Sequence, residues 1–230
     1  AQGFARAGCD VAICSRSESD LRVALEEITD KTEVRGHYFV TDMSQRQQVK
    51  DLAEAVLDAT GRVDILVNNA GSNIPQRIDE IVDEGWDQII ELNLNSCMIL
   101  TRALAPQMKA RKWGRIIHIS SIMGLASKDA RNSYSATKSA LIGLARANAL
   151  DLGAWNITVN CLAPGPFLTD LPSRLLSEKQ QQVFSERTAL GRWGQPEELV
   201  GPALLLASEA GSYITGEVLV VDGGTLCKTF

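Results

Sequence analysis

The part of the sequence that decides the fold lies between residues 115 and 162. Arg115–Ser120 reads RIIHIS, Ser133–Leu152 reads SYSATKSALIGLARANALDL, and Ile157–Leu162 reads ITVNCL. The two short runs are apolar almost throughout instead of alternating, as expected of strands covered on both faces. The long run between them has the length and the Ala/Leu content of a helix. Strand, helix and strand in this order form a right-handed βαβ unit with parallel strands.

The same alternation continues outward in both directions. Towards the N-terminus, Asp10–Cys14, His37–Val40 and Val63–Val67 read as strands, the last ending in Asn68-Asn69-Ala70-Gly71. Between them lie helices over Ser19–Ile28 and Ser44–Thr60, the second with apolar residues at Val49, Leu52, Val56 and Leu57. A long helical stretch fills Trp86–Arg111, where Pro106 predicts a kink or break. Towards the C-terminus follow a helix over Pro196–Ser208 and a strand over Glu217–Val221. The expected fold class is α/β, a doubly wound Rossmann-type parallel sheet forming a single domain over residues 1–230. Ala1–Ala7 reads as the tail of a helix closed by Gly8. With no strand before it, the sequence is expected to begin inside the first helix of a longer chain.

Composition agrees with a globular protein. The 230 residues are 45% hydrophobic and 22% charged, with a net charge of −5, which argues against nucleic-acid and anionic-membrane partners. The longest charge-free stretch, Leu152–Thr169, contains Asn156, Asn160, Pro164 and Pro166 and cannot span a membrane. Cysteines stand at 9, 14, 97, 161 and 227, with no CxxC pair and no histidine at metal-ligand spacing. Reduced thiols, no metal and a cytoplasmic location are expected. His118, inside its apolar strand, reads as a core histidine. Lys109, Arg111, Lys112 and Arg115 read as charges complementing a helix end, or alternatively as a docking patch for an acidic carrier protein.

Chemistry concentrates at Ser121, Tyr134 and Lys138. Tyr134 and Lys138 are four residues apart and share one helix face. A phenol with a pKa near 10 is a poor acid–base catalyst at neutral pH, and an ammonium beside it would lower that value. Ser121 closes a strand at the C-terminal edge of the sheet, where open α/β folds bind ligands. There its hydroxyl could orient a substrate oxygen.

With these residues the chain resembles the short-chain dehydrogenase/reductases, in their Tyr-x-x-x-Lys branch, over nearly its whole length. Matching segments are Asn68-Asn69-Ala70-Gly71, Leu92-Asn93-Leu94, Ser121 thirteen residues before Tyr134, and Pro164-Gly165 with Thr169. Arg192-Trp193-Gly194-Gln195-Pro196-Glu197-Glu198, Tyr213-Ile214-Thr215-Gly216 and Val221-Asp222-Gly223-Gly224 match as well. The resemblance implies that Tyr134 is the general acid/base and Ser121 the substrate orienter. Lys138 would partner the tyrosine and the nicotinamide ribose, and Asn93 would hold a water in a proton relay. It also implies cofactor contacts from Asp42 and the Met43 backbone, from Asn69, Ala70 and Gly71, and from Pro164, Gly165, Phe167 and Thr169. Phe167 departs from the Ile or Val of many members, and Pro166 stiffens that loop. The family's glycine-rich Thr-Gly-x-x-x-Gly-x-Gly turn does not occur in this sequence.

Cofactor choice follows from the end of the Asp10–Cys14 strand. Ser15 and Arg16 stand where an acid would select NAD, and an arginine suits a 2′-phosphate, so NADP(H) is expected. The implied substrate is a ketone or secondary alcohol, either a sugar-acid or polyol ketone such as 5-ketogluconate or a 3-oxoacyl thioester. Leu171–Gly191, carrying Arg174, Lys179, Gln180, Gln181, Gln182 and Arg187, is expected to cover it. An NADP-binding regulatory protein is the non-enzymatic alternative. Ala136, Ala140, Gly143 and Ala147 form a small-residue stripe opposite Tyr134 and Lys138, expected to meet a second copy in a homodimer or homotetramer.

Overall fold

The computed structural model describes residues 1–30, 32–168, 182–183 and 185–228. Its strands are β1 (Val11–Ser15), β2 (Gly36–Val40), β3 (Ile65–Asn68), β4 (Gly114–Ile119), β5 (Ile157–Pro164) and β6 (Val218–Val221). Its helices are α1 (Gln2–Arg6), α2 (Glu18–Thr29), α3 (Arg46–Thr60), α4 (Asp83–Ile90), α5 (Ser96–Arg111), α6 (Asn132–Leu152) and α7 (Val200–Ala207). All pairings between strands are parallel. β1 pairs with β2, and β3, β4, β5 and β6 form a second sheet in that order.

Side chains alternate across β4 and divide the core. Ile116 packs with Val49, Leu104, Met108, Leu141 and Val159 on the α3/α5/α6 side. Ile117 packs with Leu162, Leu206 and Ala207 on the α7 side. β5 is buried along nearly its whole length, which is why ITVNCL carries no polar–apolar alternation. Helix ends follow local chemistry. The Ser17 hydroxyl caps α2 by accepting from the Asp20 N–H at 3.3 Å. Gly61 closes α3 at φ 73°, a conformation that favours glycine. Gly8, at φ 87°, ends the α1 turn as the sequence suggests.

Three expectations need correction. Strand limits move by one or two residues, and Asp10 lies outside β1, where its carboxylate takes the Arg35 side chain and backbone N–H. Pro106 does not break its helix, because α5 runs through it. Pro106 and Arg102 are exposed, so the carbonyl left unbonded at Arg102 can be hydrated. The irregularity falls instead at Glu91–Asn95, a π-helical turn joining α4 to α5. Finally, Arg115 is no surface charge. It is fully buried, its guanidinium lies 4.4 Å from the centre of the Trp113 ring, and it bonds to Glu209 at 3.1 Å. Arg111 is tied to Asp64, Gln107 and the Val63 carbonyl, so the basic cluster around Lys109 is largely consumed within the fold. Among the described residues, no helix is long and apolar enough to cross a membrane.

Candidate active site

The residues singled out by sequence gather at the C-terminal ends of parallel strands, the edge where α/β sheets bind ligands. Ser15 ends β1, Asp42 follows β2, Asn69 follows β3, Ser121 follows β4, and Pro164 ends β5. The Thr41 N–H donates to the Ser15 carbonyl at 2.8 Å and holds the first two ends together.

The segment after β4 is fastened to α6. The Ser120 hydroxyl donates to the Lys138 carbonyl at 2.8 Å, and the Ser139 hydroxyl donates to the Gly124 carbonyl at 2.9 Å. A Cβ on Gly124 would lie 2.8 Å from the Lys138 carbonyl, so only glycine lets this turn rest on the helix backbone. These ties fix Ser121 relative to Tyr134. Ser121 is buried and extended, and its Oγ accepts the Met123 N–H at 3.1 Å.

Tyr134 is half-buried, and desolvation pushes its phenol above the usual range, with the Ser121 hydroxyl and then Arg131 acting in the opposite direction. The expected lowering by Lys138 is not what acts on the phenol here. The Lys138 Nζ donates to the Ile119 carbonyl at 2.7 Å and lies 5.5 Å from the centre of the tyrosine ring. Burial lowers the lysine's own pKa.

Asn93, in the π turn, is fully buried and works as a strut. Its Oδ1 accepts from the Ser72 N–H at 2.9 Å, while its Nδ2 donates to the Ser72 carbonyl at 2.9 Å and to Thr137 Oγ1 at 3.1 Å. The Thr137 hydroxyl in turn donates to the Tyr134 carbonyl at 2.8 Å. The Asn93 amide therefore joins the strand-β3 turn to the helix carrying Tyr134 and Lys138, which is the backbone-bonding role open to any buried asparagine. Thr137 was not singled out by sequence, although its place between the two motif residues was the available signal. Gly71 completes this corner. A Cβ there would sit 3.3 Å from Asn93 Oδ1 and 3.4 Å from Lys138 Nζ.

Beneath Lys138 lies a buried polar row. Asn68, His118 and Cys161 are register partners on β3, β4 and β5. Asn68 Nδ2 meets His118 Nδ1 at 3.1 Å, and burial drives the imidazole down to about 4. His118 is the core residue expected from sequence, although its Nε2 has no partner among the described residues.

The outer contacts divide by depth. Arg16 is exposed and its charge helps hold the Asp42 carboxylate below the usual range, after the larger effect of hydrogen bonds from Ser44. The Met43 side chain is buried in the core, leaving only its backbone for a ligand. Gly165 lies against the Asp222 backbone, where a Cβ would approach Cα to 2.6 Å. Phe167 pairs with Gly194, its ring occupying the space a side chain there would need. Thr169, Arg174, Lys179, Gln180 and Gln181 lie outside the described residues. Gln182 is exposed and donates to Glu186 at 3.1 Å.

Comparison with known proteins agrees with this geometry. A family model described as enoyl-(acyl carrier protein) reductase matches residues 1–225. The 3-oxoacyl-[acyl-carrier-protein] reductase FabG of Aquifex aeolicus is 35% identical over 224 residues, covering 97% of this chain and 90% of that protein. Gluconate 5-dehydrogenase of Gluconobacter oxydans is 34% identical over 225 residues, covering 97% and 88%. The crystal structure of a gluconate 5-dehydrogenase from Burkholderia cenocepacia J2315, in complex with NADP and tartrate, superposes with a TM-score of 0.92 at 32% identity, covering 100% of this chain and 90% of that one. A parallel α/β sheet, the Ser121–Tyr134–Lys138 arrangement at its ligand-binding edge and similarity along nearly the whole length lead to one conclusion: the chain belongs to the short-chain dehydrogenase/reductase family.

Proposed function

We propose that this chain is an NADP(H)-dependent oxidoreductase interconverting a small ketone and a secondary alcohol in the cytoplasm. The observation that carries the proposal is the half-buried Tyr134 phenol, whose acidity responds to the Ser121 hydroxyl and whose ring lies 5.5 Å from Lys138 Nζ. Burial keeps the phenol protonated at neutral pH, the form needed to give a proton to a carbonyl oxygen. Ser121 sits where it can orient that oxygen. The Lys138 ammonium spends one N–H on Ile119 and has two left for a ribose and the tyrosine edge. When bound, the dinucleotide supplies the hydride.

The residues present fit such a group. Gly71 leaves room beside Lys138 that a Cβ would fill, and exposed Arg16 makes no ion pair or hydrogen bond among the described residues. Its planar fork suits a 2′-phosphate. Asn69, Ala70, Pro164, Gly165, Phe167 and Thr169 would line the remainder.

A sugar-acid ketone is favoured over an acyl-carrier thioester. With Arg115 buried and Arg111 paired to Asp64, the basic patch that could dock an acidic carrier keeps only Lys109 and Lys112, and Lys109 lies over the Trp155 ring at 4.2 Å. The chain is also proposed to assemble as a dimer or tetramer through α6. Ala136, Gly143 and Ala147 are exposed and Ala140 is half-buried among the described residues, and a Cβ on Gly143 would meet none of them within 4 Å. The test of function is NADPH oxidation, followed by absorbance, with 5-ketogluconate, neutral ketoses and a 3-oxoacyl thioester. Tyr134→Phe should lower turnover at least about 10²-fold. Near-normal turnover in that variant would overturn the assignment.

A further inference from the structure

Arg131 has no part in the family motifs, yet it is the residue immediately ahead of α6, three before Tyr134, and its charge acts on the Tyr134 phenol. It is half-buried, and among the described residues its guanidinium makes no hydrogen bond or ion pair. A partly desolvated cation without an anionic partner is costly unless something supplies one.

Its backbone is held with unusual care. Ala130 adopts φ 56°, a strained conformation for a residue with a side chain. The strain is fixed in place by the neighbouring strand-β3 turn. The Gln76 N–H donates to the Ala130 carbonyl at 3.2 Å, Asn132 Nδ2 donates to the Gln76 carbonyl at 3.0 Å, and Gln76 and Arg131 form an isolated parallel bridge. Strain of this kind gathers at ligand clamps.

Arg131 also has cationic company. Lys128 and Arg187 are exposed, and Arg131 and Arg187 both act on Lys128 to lower its pKa, after the larger effect of burial. Among the described residues, Asp129 opposes them. Among the described residues, Arg131 and Arg187 therefore bring positive charge to the surroundings of the phenol that would meet the carbonyl, although the chain as a whole carries −5.

We propose that Arg131, with Arg187 at the rim, binds a carboxylate carried by the substrate several bonds away from the carbonyl that faces Tyr134. The guanidinium would take the carboxylate through paired N–H donors. The substrate class is then an anionic ketone or hydroxy acid, and neutral ketones of the same size are poor substrates. This rests on the oxidoreductase function proposed above.

The experiment compares two substrates that differ only in the terminal group, 5-ketogluconate and a neutral ketose of equal length, across wild type, Arg131→Gln and Arg131→Lys. Removing one partner of a hydrogen-bonded charge pair should lower the acid-over-neutral ratio of kcat/KM at least about tenfold in Arg131→Gln, with substantial recovery in Arg131→Lys. An unchanged ratio overturns the proposal, as does an equal loss on both substrates. A second arm needs no turnover: calorimetric titration of gluconate into each protein with NADPH present, a pair that cannot react. Gluconate binding at least about tenfold weaker in Arg131→Gln supports the anion site, and equal affinity overturns it. If wild type reduces no ketone, the oxidoreductase function falls, and the calorimetric arm alone decides the role of Arg131.

Discussion

Replacing Asn93 with alanine should unfold the protein more readily by about 2–4 kcal/mol. The side chain makes three hydrogen bonds, two to the Ser72 backbone and one to Thr137. Each is worth roughly 0.5–1.5 kcal/mol net. Ser72 is exposed, so water can take over its N–H and C=O, which keeps the cost below the penalty for buried orphans. The void left in a fully buried position works the other way. In a chain of this size that loss corresponds to a fall in Tm of about 5–15 °C. Thr137→Val removes the shared bond together with the bond from the Thr137 hydroxyl to the Tyr134 carbonyl and should cost about 1–3 kcal/mol. Because both changes delete the Asn93–Thr137 contact, the double variant should be less destabilised than the sum by about 1 kcal/mol. Equilibrium urea unfolding of the four proteins gives the cycle. An Asn93→Ala protein within about 0.5 kcal/mol of the parent, or a strictly additive cycle, would refute the strut.

Arg16→Asp should reverse cofactor preference towards NAD(H), measured as the ratio of kcat/KM for the two reduced cofactors; a parent that already prefers NADH refutes the role given to Arg16. His118 should make the fold acid-sensitive. Its imidazole titrates near 6.5 unfolded and at about 4 folded, so the unfolded state gains a proton first as pH falls. Stability should decline between those values by about 3 kcal/mol in total and level off below, and a His118→Asn protein should lack this component. Parallel stability–pH curves for the two proteins would contradict it. Gly143→Arg faces open space within one chain and should leave the fold intact while reducing the assembly seen by sedimentation; an unchanged oligomer moves the interface elsewhere.

Strands β4 and β5 and helix α6 were legible in the sequence because full burial writes itself as continuous apolar runs, and because Tyr134 and Lys138 announce a helix face by spacing alone. What the sequence hid were contacts between distant segments. Nothing near Asn93 says that its amide will meet Ser72, twenty-one residues away. The π turn has no compositional mark, whereas Pro106 has a strong one, so the irregularity was expected at the wrong end of the helix. Arg115 reads as a surface charge until Trp113 and Glu209 are seen to enclose it. Arg131 was passed over for a related reason: its importance comes from the loop that holds it and not from any motif.

The π turn at Glu91–Asn95 carries one more residue than an α-helical path between the same ends would need. Each residue of an α-helix advances the side chains by 100° and each residue of the wider π turn by less, so losing any one of those five would let an α-helical turn join the same ends and re-aim the side chains within it. Asn93 would then swing out of the corner it shares with Thr137, although every residue type in the site remained. The position of that strut is stored as a length of chain. Single-residue deletions between 91 and 95 should therefore be far less tolerated than substitutions at Glu91 or Leu94, and a deletion scan across α4 and α5 would locate the insertion without a structure.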